Sequence, residues 1–161
     1  MSVLKPLYAV AIALLVVAFV GFGISAFYPE PGYPEYPPEL EFSGPNPTAE
    51  ERELMAEQRE KEEAHQHRIS DYNRVVSAIA IGVAVLLLVG SLLWISGLPV
   101  IGDGTTLGAV FTLFYGLIRA FMTNDEQFRF VAVAIGLVVL LVLVYWKFSR
   151  SPTLQSRQKP T

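Results

Sequence analysis

Four long apolar runs constrain this chain more than any other feature. They are Leu7 to Phe27, Val75 to Ile95, Thr106 to Ile118 and Phe130 to Trp146, and none contains a charged residue, histidine or proline. A helix needs about 20 apolar residues to cross the hydrocarbon core of a bilayer. Backbone inside lipid must satisfy its own hydrogen bonds, so each run is expected to be helical. The third run is the shortest and extends to Phe121 only by including Arg119. Hydrophobic residues make up 52% of the 161 positions, and they are gathered in blocks rather than dispersed at period 2 or 3.6. The expected fold class is therefore an all-α integral membrane protein, a four-transmembrane-helix bundle.

The polar residues divide the rest. Residues 1–27 read as an N-terminal tail and first span. That span is longer than a signal-peptide core, and Ile24-Ser25-Ala26 places a bulky residue where a cleavage site wants a small one, so a retained anchor is expected. Residues 28–47 form a proline- and tyrosine-rich strap, with Pro29, Pro31, Pro34, Pro37 and Pro38 close together. Proline lacks an amide hydrogen and biases its predecessor toward extended geometry, so the strap is expected as a polyproline II spacer that stops the first helix. Residues 48–74 read as a charged helix: Thr48 and Glu51 have capping-box spacing, and Glu57 precedes Lys61 by four. This helix either runs on into the second span or restarts at a cap among Ser70, Asp71 and Asn73. The remaining divisions are 75–96 as span two, 97–105 as a glycine-rich turn, 106–122 as span three, 123–129 as a loop, 130–148 as span four and 149–161 as a basic, disordered tail.

Charge sets the expected orientation. Residues 28–74 carry 12 acidic and 5 basic side chains, whereas the tail holds Lys147, Arg150, Arg157 and Lys159 with no acid. Cytoplasmic ends of membrane proteins are enriched in Lys and Arg. Both termini are expected in the cytoplasm and residues 28–74 outside it, with Arg119 and Arg129 counting against that orientation.

Small residues recur at helix-packing intervals: Ala78, Gly82 and Gly90 on span two, Gly108, Thr112 and Gly116 on span three, Ala132 and Gly136 on span four. Small residues four apart let helices approach closely in lipid, so these positions are expected to build the bundle or join copies of it. Tyr28, Tyr33, Tyr36, Arg119, Tyr145, Trp146 and Lys147 have the amphipathic or snorkelling character of interface anchors.

Chemistry is sparse. Cysteine is absent, which excludes disulfides, thiolate metal sites and cysteine nucleophiles. His65 and His67 are two apart and diverge on a helix; Glu62 with His65 or Glu63 with His67 could each supply only two ligands, so no metal site is expected. None of the four apolar runs contains the ionisable residue that ion and proton carriers place in their pathway. Gly102-Asp103-Gly104 lacks the lysine and spacing of a phosphate loop, and an acidic loop disfavours nucleic acid. No cofactor and no catalytic residue is expected.

In outline the chain is similar to claudin-like proteins, but it lacks the tryptophan and paired cysteines of their first loop. It also lacks the cysteines of tetraspanins and the first-span glutamate of small multidrug transporters. The expected function is a non-catalytic accessory, structural or assembly subunit that meets the lipid bilayer and a membrane-protein partner or further copies of itself. The alternatives are an oligomeric channel or transporter component lined by Thr105, Thr106, Thr112 and Tyr115, and an extracytosolic sensor in which residues 48–74 relay to span two.

Overall fold

Each apolar run becomes a helix, and each helix is longer than its run. The computed structural model describes residues 4–38, 48–94 and 99–149. It contains α1 (Leu4–Phe27), α2 (Ala49–Trp94), α3 (Pro99–Phe121) and α4 (Glu126–Ser149), with no strand among the described residues. All four helices are long and apolar enough to cross a membrane, which points to a multi-pass membrane protein. Their surfaces agree. Phe19 is 79% exposed and Phe130 76% exposed, a disposition that suits lipid and not water.

The choice between a continuous and a restarted second helix falls to the continuous one. At 1.5 Å per residue, the 46 residues of α2 span about 70 Å. A bilayer core uses about 30 Å of that, so the N-terminal half of α2 projects beyond the bundle. The end of the bundle carrying this projection is called here the extension end. The start of α2 is held by its capping box. The Thr48 amide donates to Glu51 Oε2 at 2.6 Å, and the Glu51 amide donates to Thr48 Oγ1 at 3.3 Å. About two turns on, Lys61 Nζ lies 2.8 Å from Glu57 Oε1. Its hydrogen bond and charge hold the Glu57 carboxyl below its ordinary range.

The expected turn over 97–105 is corrected in part. Helix α3 begins at Pro99, so residues 99–105 are helical. Proline is well placed in a first turn, where its missing amide hydrogen has no helical partner to lose. Among the glycines that suggest a loop, Gly104 serves packing instead. A Cβ on Gly104 would stand 2.9 Å from Ile12 Cβ and 3.0 Å from the Ala9 carbonyl oxygen. Residues 95–98 lie outside the described residues. The expected loop over 123–129 likewise shortens, because α4 starts at Glu126. Asp125 Oδ1 accepts from the Phe128 amide at 3.0 Å and caps that helix.

Helix α3 is the hub. Both α1 and α2 pack along it, α4 leans on α3 and α2, and α1 and α2 meet each other little. Gly108 lets α1 in: an added Cβ would lie 2.9 Å from Val16 Cβ and 3.2 Å from Ala13 Cα. Gly116 lets α2 in, with Ile81 Cγ1 at 2.8 Å from such a Cβ. Thr112 is fully buried between them, and its hydroxyl donates to the Gly108 carbonyl at 2.8 Å. At the opposite end from the extension, Ser91 Oγ donates to the Gly102 carbonyl at 3.0 Å and lies 2.8 Å from the Thr106 hydroxyl.

Of the expected strap, residues 28–38 are described, and 28–37 carry no regular helix; residues 39–47 lie outside the described residues, as does the tail 150–161. The strap does not keep all its tyrosines at one level. Tyr28 stacks on Tyr72 with ring centroids 5.3 Å apart, while Tyr33 tilts onto His65 at 4.9 Å. Seven residues of helix separate those two partners, about 10 Å along α2, so the strap climbs the projecting helix.

Candidate functional site

Two features of the bundle are not consumed by its own packing: a polar cluster at the extension end and an apolar groove between α2 and α4.

The polar cluster is built on the last turn of α3 and the stretch of α2 where it leaves the bundle. Arg119 Nη1 donates to Asn73 Oδ1 at 2.9 Å, and its Nε donates to the Tyr115 hydroxyl at 3.3 Å. The guanidinium also lies 5.6 Å from the Tyr72 ring centroid and 5.7 Å from that of Tyr115, within cation–π range. Asn73 is 2% exposed and Tyr72 4% exposed. Around them α2 clasps the α3–α4 connection. Ser70 Oγ accepts from the Asn124 amide at 2.9 Å, Arg74 pairs with Asp125 at 3.4 Å, and the Arg74 guanidinium lies 5.4 Å from the Phe128 ring centroid. Arg129 donates to the Thr123 carbonyl. The two arginines that weigh against the expected orientation are thus both engaged inside the fold.

The groove is of the opposite character. About 530 Å³ of space lies between Ala78, Gly82 and Leu86 of α2 and Val131 and Ile135 of α4. A Cβ placed on Gly82 would meet nothing within 4 Å, and the same holds for Gly90. This departs from the expectation that these positions build the bundle. Ala78 and Gly82 face outward, whereas Gly108, Thr112, Gly116, Ala132 and Gly136 are buried. A Cβ on Gly136 would come within 3.1 Å of Leu117 Cδ1.

Among the expected interface anchors, Tyr28 and Arg119 meet at the extension end through Tyr72. Tyr33 goes to His65, and Tyr36 is exposed. Tyr145 lies exposed near the far end of α4 with Trp146 half-buried beside it; the Lys147 side chain lies outside the described residues. Thr112, Thr106 and Tyr115 each hold a hydrogen bond within the fold. Among the described residues, no three His, Asp or Glu side chains gather where they could hold an ion. Sequence reasoning passed over Tyr72 and treated Asn73 and Ser70 as helix caps. Their signal was position: three polar or aromatic residues where α2 emerges, on a helix already capped at Thr48.

No family model, curated protein or solved structure matches the chain.

Proposed function

We propose that the chain is a non-catalytic accessory or assembly subunit of a membrane complex, and that it holds a transmembrane helix of a partner polypeptide in the groove between α2 and α4. The observation that carries this reading is the open surface over Gly82. The other small residues of the helix-packing stripes on α3 and α4 are covered by a neighbouring helix, and Ala78 and Gly82 repeat the same four-residue spacing with no helix against them. Small residues at that interval bring helix backbones together in lipid. Both termini are placed in the cytoplasm and the α2 projection outside it, on the strength of the basic tail and acidic loop.

Purification from its own membranes in a mild detergent tests the assignment. A stoichiometric second polypeptide retained by the wild type and lost from Gly82→Leu supports it. Retention undiminished in that variant rejects the groove. A homo-oligomer dispersed by the same substitution transfers the groove to a second copy of the chain and favours the oligomeric channel reading. A reporter fused after Thr161 is expected to be active only in the cytoplasm.

The unbroken α2 favours one further reading, an extracytosolic sensor. A continuous helix transmits a tilt or rotation from its projecting half to the bundle without loss at a hinge.

A further inference from the structure

At the extension end a cleft opens where α1 and α3 meet beside Tyr72 of α2. It holds about 360 Å³, and its walls include Gly21 and Ser25 of α1, Glu30 of the strap, Tyr72 of α2, and Tyr115 and Arg119 of α3. The floor toward the bundle centre is apolar; the mouth is polar and bears one charge of each sign.

Those charges do not neutralise each other. No ion pair joins Glu30 to Arg119, and both ion pairs present among the described residues lie elsewhere. A guanidinium has five N–H donors. Arg119 uses one on Asn73 and one on Tyr115, both neutral acceptors, and its remaining donors meet no anion among the described residues. An arginine at the end of a membrane-spanning helix reaches toward the headgroup region. The anion available at that depth is a lipid phosphate, whose geometry a guanidinium matches with two parallel hydrogen bonds. Glu30 supplies the complementary carboxylate at the same mouth. Gly21 leaves the wall below it open, since a Cβ there would meet nothing within 4 Å.

We propose that this cleft is a specific site for a phospholipid whose headgroup bears both phosphate and a primary ammonium. Arg119 takes the phosphate, Glu30 takes the ammonium, and one acyl chain descends along Gly21 and Ala18 of α1. Tyr72 and Tyr115 set the guanidinium in place from either side. A merely snorkelling arginine would show no headgroup preference, which separates the two readings.

The test is native mass spectrometry of the full chain in mild detergent, offered phosphatidylethanolamine, phosphatidylglycerol or inorganic phosphate. The wild type is expected to retain one phosphatidylethanolamine about tenfold more strongly than phosphatidylglycerol, the scale of one charge-assisted hydrogen bond. Arg119→Gln is expected to lose about tenfold in retention. Glu30→Gln is expected to retain both lipids equally. Arg119 also ties α3 to α2, so Gly21→Leu, whose Cβ enters open space in the cleft, is the independent variant and is expected to lose retention as well. Equal retention of the two lipids by the wild type, undiminished retention in Gly21→Leu, or displacement of the lipid by inorganic phosphate would each overturn the proposal.

Discussion

Asn73 and Arg119 are 46 residues apart in sequence and 2.9 Å apart in space. Their hydrogen bond fixes the height of α3 against α2 where α2 leaves the bundle. Asn73 is buried, and its partner is charged. Hydrogen bonds to charged groups are worth about 1.5–3 kcal/mol, and losing one partner strands the other. Asn73→Ala is therefore expected to lower unfolding free energy by about 2 kcal/mol, read as a lower melting temperature in detergent. Asn73→Asp keeps the acceptor and adds a charge opposite Arg119, so it is expected to melt no lower than the wild type. Equal loss in both variants would mean the site responds to shape and not to the hydrogen bond.

Two glycines on facing helices should respond to the same substitution in opposite ways. Leucine at Gly116 drives its Cβ to within 2.8 Å of Ile81 Cγ1 and 3.2 Å of the Ile81 backbone nitrogen. Overpacking of this kind costs about 1–3 kcal/mol or more, and the backbone atom cannot step aside. Gly82→Leu adds its side chain to empty groove. Melting of the isolated chain is expected to fall sharply for Gly116→Leu and to stay within about 0.5 kcal/mol of wild type for Gly82→Leu. A destabilised Gly82→Leu protein would show that the groove closes on itself.

The elements were legible in the sequence because charge-free apolar runs have one solution in lipid, and Thr48 with Glu51 marks the start of α2 by chemistry alone. The helix ends near Pro99 and Glu126 were less legible. Gly102 and Gly104 have the composition of a loop, and only the presence of α1 against Gly104 explains why a helix keeps that glycine. The same limit applies to the site. Spacing identifies Gly82 and Gly116 as equivalent small residues; which one is covered depends on where α3 and α4 lie, a tertiary fact. Asn73 reads locally as a cap, and becomes a partner of Arg119 only once α3 is brought alongside.

The capping box makes a local prediction distinct from these global ones. Thr48 stands at the tip of a projecting helix, far from the bundle. Thr48→Ala removes a bond worth about 1 kcal/mol to helix initiation. Faster amide exchange is expected over the first turns of α2, fading before Tyr72, with the melting temperature unchanged. Uniform acceleration along α2 would show that the projection and the span unfold as one unit.

Ser77 and Ser91 lie on the same helix, both buried, and predict opposite signs. Ser91 Oγ bonds the Gly102 carbonyl and the Thr106 hydroxyl, joining the far ends of α2 and α3. Interhelical bonds of this kind average about 0.6 kcal/mol in membranes, so Ser91→Ala is expected to destabilise by that order. Ser77 is fully buried and its hydroxyl has no hydrogen-bond partner among the described residues. Removing an unsatisfied buried hydroxyl relieves a desolvation cost of about 1 kcal/mol or more, and alanine leaves only the space of one oxygen. Ser77→Ala is expected to raise the melting temperature while Ser91→Ala lowers it. Should Ser77→Ala melt lower instead, its hydroxyl must bond a group outside this chain, and a partner helix or lipid at that face would be the place to look.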